Sequence, residues 1–233
     1  MVVSRTVAMY ADLTRNTNEF LKSIAHSRRL DQAARIVPIE PGQRIFDYGC
    51  GDGAFFNQLS RYTAKENLFG YDPWLLGEMT FEGATTFGAV PDFIDELAGT
   101  FDVVYCMEVC EHLSDAANAA LLDNVARLGK AGAVFVFGVP IETGPSALLK
   151  NVFRWWKGGR QGANPSRIWR TTFSRPVDRE WVDGWCGTHI GFDHRRFRET
   201  LVAHGFRIER TACLPLRGTT AVLNNEIYFV CRR

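Results

Sequence analysis

The chain has 233 residues, a net charge of +1, 46% hydrophobic residues and 23% charged residues. Those values fit one soluble domain with a full core, and they exclude a whole-molecule attraction to nucleic acid, so any such affinity must be local. The six cysteines lack CxxC spacing and sit mostly in apolar runs, which reads as reduced, buried thiols. The first residues hold no apolar run of signal-peptide length and no segment is long enough to span a bilayer, so the expected location is cytoplasmic, with membrane association open.

In chain order, apolar positions among charges predict a helix over 17–36 within an N-terminal helical segment, 1–40. A buried strand, RIFDYG, follows, then a glycine-rich turn and a helix, AFFNQLSRYT. NLFGYD is a second strand and ATTFG a third; PDFIDELA is predicted as a short helix with Pro91 near its first turn. FDVVYCM is a fourth strand, rich in β-branched and aromatic residues. Ser114 is the candidate N-cap of a helix running towards Gly129, and GAVFVFGVP is a fifth strand, apolar throughout as when both sheet faces are covered. The rhythm breaks over 141–188, an insertion expected over the carboxyl ends of the strands, and resumes with DHRRFRETLVAHG, FRIERTAC and NEIYFVCRR. Strands alternating with helices predict one α/β domain over 1–233: a doubly wound, mostly parallel, seven-stranded Rossmann-like sheet whose last strand is antiparallel.

FDYGCGDGAFF places Asp47, Gly49, Gly51 and Gly53 between a strand and a helix. Such glycines permit a tight turn and close approach of a ligand to the backbone, with helix amides facing it. Phe56 stands where a dinucleotide loop would carry its third glycine, so NAD-type packing is disfavoured. Asp72 ends the next strand, where a carboxylate can accept hydrogen bonds from ribose hydroxyls. DYGCGDG, GYD and FDVVYCMEVCEHL together resemble the class I S-adenosylmethionine-dependent methyltransferases, over about residues 40 to 140. The resemblance implies S-adenosyl-L-methionine as cofactor. Its methionine part would lie on the loop, its ribose on Asp72 and its adenine between Pro73 and Trp74, with Met107 at the sheet edge beside it.

After the fourth strand come Glu108, Glu111 and His112. Three readings stand. They are first-turn residues favoured by the helix dipole; or His112 is a general base, made less comfortable by two carboxylates that would raise its pKa; or they bind Mg²⁺, Mn²⁺ or Zn²⁺. An ExxEH element followed later by a lone histidine is similar to that of the ubiquinone-biosynthesis O-methyltransferases and the small-RNA 2′-O-methyltransferases. That resemblance implies Glu108, Glu111, His112 and His189 as ligands of an ion that holds neighbouring hydroxyls of the acceptor. His194 is a rival fourth ligand, expected to be solvated at its Arg-rich helix start. In the insertion, Lys150, Arg154 and Lys157 share one face of a predicted helix, and Leu149, Val152, Phe153 and Trp156 lie toward the other. The helix is read as a lid with its apolar face on the site and its charges in solvent, as a peripheral membrane contact through 145–160, or, less favoured, as a nucleic-acid grip.

The function expected is O-methylation of a small-molecule, glycan or lipid-linked acceptor. The alternatives are an N- or C-methyltransferase without a metal, in which Glu108 or His112 serves as catalytic base or the element is structural, and a non-catalytic cofactor-binding protein.

Overall fold

The structure is a computed structural model that describes residues 28–74, 81–158 and 162–233. Residues 28–34 are helical (α1); the rest of the helix predicted over 17–36 lies partly outside the described residues. The strands are β1 (Ile45–Tyr48), β2 (Leu68–Tyr71), β3 (Thr85–Phe87), β4 (Phe101–Met107), β5 (Gly129–Pro140), β6 (Arg207–Leu214) and β7 (Glu226–Arg232). Between them lie helices α2 (Phe56–Leu59), α3 (Asp115–Leu128), α4 (Pro145–Trp156), α5 (Pro165–Thr172) and α6 (His194–Ala203). The seven strands form one sheet in the order β3-β2-β1-β4-β5-β7-β6. β7 alone runs against the others, paired antiparallel with both β5 and β6.

The apolar strands follow from burial on two faces. Along β4, Val103 and Tyr105 pack with Ile45, Val136 and the α1 and α2 residues Ala33, Phe56 and Leu59. Their neighbours Val104 and Cys106 pack on the opposite face with Phe135, Phe137 and the α3 residues Leu121, Leu122 and Val125. That alternation is the period-2 geometry of a strand expressed on a doubly covered sheet. Ser114 caps α3 as expected, its Oγ accepting from Ala117 N at 3.3 Å.

Two predicted helices are shorter than their patterns. AFFNQLSRYT is helical only over Phe56–Leu59. PDFIDELA makes a 3₁₀ turn at Val90–Asp92 followed by irregular turns. Both segments are below the length at which a helix sustains itself, and burial of Phe93 and Ile94 sets the local path instead. β1 is flanked by β2 on one side and β4 on the other, so the chain order reverses there. A crevice opens at such a switch point beyond the strand carboxyl ends, and both sequence motifs sit at it.

Candidate active site

The glycine loop leaves β1 with Gly49, Gly51 and Gly53 at φ of 94°, 54° and 80°, conformations that favour glycine. Gly49 also has no room for a side chain, because an added Cβ would lie 2.2 Å from Val109 Cγ2. Gly49 N and Cys50 N donate to Tyr71 O at 2.7 and 3.1 Å, tying the loop to the end of β2. Asp72 completes the link: Oδ2 accepts from Gly51 N at 2.9 Å and Oδ1 accepts from Trp74 N at 2.9 Å. Asp47 is buried in β1, and burial, with the nearby Asp72 charge adding to it, pushes its carboxyl up to about 7. Pro73 and Trp74 follow on the surface, and Met107 is half-buried at the end of β4.

Beyond β4, a 3₁₀ turn at Cys110–His112 carries Glu111 and His112. Seventy-odd residues later the chain returns with His189, whose Nε2 lies 3.1 Å from His112 Nε2. Glu111 Oε1 is 3.8 Å from His112 Nε2 and 4.0 Å from His189 Nε2. The three ligand atoms all fall within 4.8 Å of one another. His112 Nδ1 donates to Cys186 O at 2.7 Å, which leaves Nε2 of the neutral ring as a lone pair directed at the cluster. Burial holds both imidazoles below their usual range, His189 down to about 3 with His112 adding to the effect. Burial therefore lowers His112 despite its bond to the Cys186 carbonyl, contrary to the sequence expectation that neighbouring carboxylates would raise it.

Glu111 is fully buried and neither carboxylate oxygen has a hydrogen-bond partner among the described residues. Burial, then the Glu108 charge, raises its pKa well above the usual carboxylate range. An orphaned buried carboxylate costs on the order of 1–3 kcal/mol or more. Two imidazole lone pairs and one carboxylate on one spot are a donor set for a divalent transition ion. The residues present thus fit a metal, with nitrogen donors that suit Mn²⁺ or Zn²⁺ better than the harder Mg²⁺.

Glu108 is placed differently from its three companions. It takes a left-handed conformation, φ 57°, held by its amide donating to Gly138 O at 2.9 Å. A non-glycine residue in that region costs roughly 1–2 kcal/mol, and such strain gathers at functional sites. Its Oε2 lies 3.7 Å from Arg29 Nη1, which also contacts Glu226 Oε1 at 2.7 Å. Tyr228 Oη donates to Glu226 Oε2 at 2.6 Å. Burial and then Glu226 push the Glu108 carboxyl up to about 7. Glu108 is therefore outside the converging cluster, beside a second acidic group built from β7. His194 is also outside it. It is buried, not solvated, at the start of α6.

The second wall of the site comes from 179–189, of which the sequence singles out only His189 as a site residue and leaves the rest as insertion. Val182 and Trp185 exchange both backbone hydrogen bonds at 2.9 Å around Asp183 and Gly184, whose φ values are 50° and 80°. This is a two-residue hairpin of the type that Asp-Gly favours, and that dipeptide was the missed signal. Ser114 N donates to Gly184 O and Cys186 N donates to His112 O, docking the hairpin on the ExxEH segment. Trp185 stacks on His112 with ring centroids 4.4 Å apart and planes at 13°. Arg179 donates to the carbonyls of Glu111 and Thr188, bridging the two halves.

The insertion helix α4 is turned over relative to the lid expectation. Lys150 and Arg154 point inward to the buried carboxylate of Glu142, with Lys150 Nζ–Oε1 at 3.0 Å and Arg154 Nη2–Oε1 at 3.0 Å. Although burial pushes the Glu142 carboxyl up, Arg154 and Lys150 hold it below its usual value. Leu149, Val152, Phe153 and Trp156 consequently face solvent, Trp156 at 75% exposure. The demand of one buried carboxylate for cations rotates the helix, so its apolar face does not cover the site.

The fold is shared with solved methyltransferases. A putative S-adenosylmethionine-dependent methyltransferase from Listeria monocytogenes superposes with a TM-score of 0.57 at 16% identity, covering 90% of this chain and 99% of that one. The magnesium protoporphyrin IX methyltransferase of Synechocystis PCC 6803 gives 0.55 at 17% identity, covering 98% and 95%. The sheet order and the glycine loop thus define the class I S-adenosylmethionine-dependent methyltransferase fold. Residues 17–209 match the model of a methyltransferase domain, and the chain belongs to that family. In sequence it is similar to the ubiquinone biosynthesis O-methyltransferase of Xylella fastidiosa (strain 9a5c), 32% identical over 111 residues, 45% of this chain and 44% of that protein. The corresponding protein of Hahella chejuensis (strain KCTC 2396) is 31% identical over 121 residues, 47% and 48%. The match spans about half the length of these curated relatives.

Proposed function

We propose that the protein transfers a methyl group from S-adenosylmethionine to a hydroxyl oxygen of a small-molecule, glycan or lipid-linked acceptor, with a divalent ion held by Glu111, His112 and His189. The observation that carries this reading is the Glu111 carboxylate, without a hydrogen-bond partner among the described residues, beside two imidazole Nε2 atoms that meet each other. Bound cofactor supplies an electrophilic sulfonium methyl, and a bound ion lowers the pKa of a hydroxyl and fixes its position. The chain does the rest. Gly49, Gly51, Gly53 and Asp72 hold the cofactor in the crevice at the end of β1. Met107 and the strained Glu108 lie where β4 delivers the acceptor side. Glu108, whose carboxyl is pushed up to about 7, takes the hydroxyl proton at Oε1, the oxygen without a hydrogen-bond partner among the described residues. His112 acts as ligand and not as base, since Nδ1 is spent on Cys186 O.

The acceptor is inferred to present two neighbouring oxygens, as a catechol or a vicinal diol does, because three protein donors leave a six-coordinate ion open to both. The test is a Mn²⁺ titration followed by electron paramagnetic resonance, paired with methyl transfer from labelled S-adenosylmethionine to a catechol and to the matching monohydric phenol. Metal binding that is lost in Glu111→Gln, with transfer favouring the catechol and stopped by chelator, supports the reading. Transfer indifferent to chelator, from a protein that binds no Mn²⁺, overturns the metal-assisted mechanism.

A membrane-borne acceptor fits the outer surface. Leu149 and Trp156 of α4, Trp169 of α5 and Phe173 at its C-cap are exposed beside one another, with Lys157, Arg170 and Arg175 exposed around them. An apolar aromatic face rimmed by cations suits an anionic lipid surface. Among the described residues no helix is long and apolar enough to cross a membrane, so contact would be peripheral. Co-sedimentation with phosphatidylglycerol vesicles, weakened in Leu149→Ser/Trp156→Ser, checks this; equal sedimentation of both proteins contradicts it.

A further inference from the structure

We infer that Trp185 is a positioning residue that sets the orientation of His112 and, through Trp74, ties occupancy of the cofactor crevice to occupancy of the Glu111–His112–His189 cluster. The inference rests on the proposed metal reading and deepens it.

Unbroken contacts run between the two places. Gly51 N donates to Asp72, and Trp74 N donates to the other oxygen of the same carboxylate. The Trp74 ring meets Trp185 edge-on, with centroids 4.4 Å apart and planes at 90°. The Trp185 ring then lies flat on His112, 4.4 Å away at 13°. One aromatic side chain therefore touches both Trp74, two residues after Asp72, and His112 of the cluster.

Trp185 has little freedom to yield at one contact while keeping the other. Its backbone is bridged to Leu113 and paired with Val182. The next residue, Cys186, donates its amide to His112 O at 2.7 Å and accepts from His112 Nδ1 at 2.7 Å. His112 is thus gripped on its ring face by Trp185, at Nδ1 by Cys186, and at its own carbonyl by the same hairpin. A ligand that shifts Asp72 or Trp74 must move the Trp185 edge, and the imidazole cannot stay fixed if the indole on it tilts. Outer residues that orient a ligating histidine typically change metal affinity about 10- to 100-fold. Coupling between two sites of this kind is typically about 5- to 150-fold and reciprocal.

The experiment measures Mn²⁺ affinity by calorimetry with and without saturating S-adenosylhomocysteine, which lacks the sulfonium charge and so removes direct charge repulsion. Wild-type protein, Trp74→Ala, Trp185→Phe and Trp185→Ala are compared. In the wild type the product cofactor changes Mn²⁺ affinity by about 5-fold or more, and Mn²⁺ changes the cofactor affinity by the same factor. Trp74→Ala, which also loses its expected adenine contact and is therefore assayed at S-adenosylhomocysteine concentrations that saturate the variant itself, keeps the Mn²⁺ affinity measured alone within about two-fold but brings the coupling factor to one, a change a merely structural role would not produce. Trp185→Ala weakens Mn²⁺ about 10-fold or more, and Trp185→Phe, which can still stack, recovers most of that. Independent binding of both ligands to the wild type, a coupling factor untouched in Trp74→Ala, or an unchanged Mn²⁺ affinity in Trp185→Ala overturns the inference. A wild type that binds the cofactor but no Mn²⁺ overturns the metal reading, and this one with it, and is told apart by the absence of any Mn²⁺ isotherm.

Discussion

Replacing Asp47 by asparagine should remove a pH slope from the stability of the protein. Asp47 is 3% exposed in β1, and its carboxyl is pushed up to about 7, first by burial and then by Asp72. In the unfolded chain an aspartate titrates near about 4. The folded state therefore holds this proton more tightly, so its contribution is fully present below about pH 4 and is lost as pH rises through about 7. Across the whole interval the loss is about 4 kcal/mol, at about 1.4 kcal/mol per pH unit. Between pH 5 and pH 8.5 the share is about 3 kcal/mol. An asparagine side chain at this position has nearly the same shape and no proton to lose. Urea unfolding of both proteins at the two pH values isolates the effect, because every other titrating group is common to them. The wild type should lose about 3 kcal/mol more than Asp47→Asn over that range. Parallel pH profiles, or a wild type that gains relative stability at pH 8.5, would refute the account of Asp47 as a buried carboxylic acid beneath the cofactor loop.

Gly49→Ala should cost about 3 kcal/mol, combining a positive φ with a Cβ 2.2 Å from Val109 Cγ2, and should abolish cofactor binding; a Tm and a calorimetric isotherm like the wild type's would contradict that. Glu142→Ala leaves Lys150 and Arg154 facing each other beside a void, and should lower stability by about 2–4 kcal/mol in urea melts, discounted because both cations keep some solvent. An unchanged midpoint would mean that the ion pairs do not set the rotation of α4. His189→Ala should reduce Mn²⁺ affinity at least about 100-fold while S-adenosylhomocysteine affinity stays within about two-fold; parallel loss of both would show global damage and not a missing ligand.

Local chemistry made much of this molecule readable in one dimension. Continuous apolar runs announced β1, β4 and β5 because those strands are covered on both faces. The glycines after β1 announced the loop because backbone at positive φ selects them. Glu111, His112 and His189 were legible as candidates through residue type and the resemblance carried by the ExxEH element, although nothing in their spacing says that a histidine so far along the chain lies 3.1 Å from His112. Glu108 shared the same motif and was grouped with them, yet Arg29 and β7 draw it aside. The Asp183-Gly184 hairpin was written plainly but passed unnoticed among tryptophans and arginines.

What the sequence by itself determined is therefore the doubly wound sheet, its crevice and the inventory of groups at its edge, since each depends on periodicity and local backbone preference. What only the tertiary structure decided is which partner each charged or aromatic group meets. Glu142 turns α4 inside out because a buried carboxylate needs cations more than the helix needs to hide its tryptophans. Trp185 comes to rest on His112 because a hairpin from the insertion docks there. Neither partnership leaves a trace in spacing, for long-range contacts are set by packing of the whole chain and not by the neighbours of any one residue.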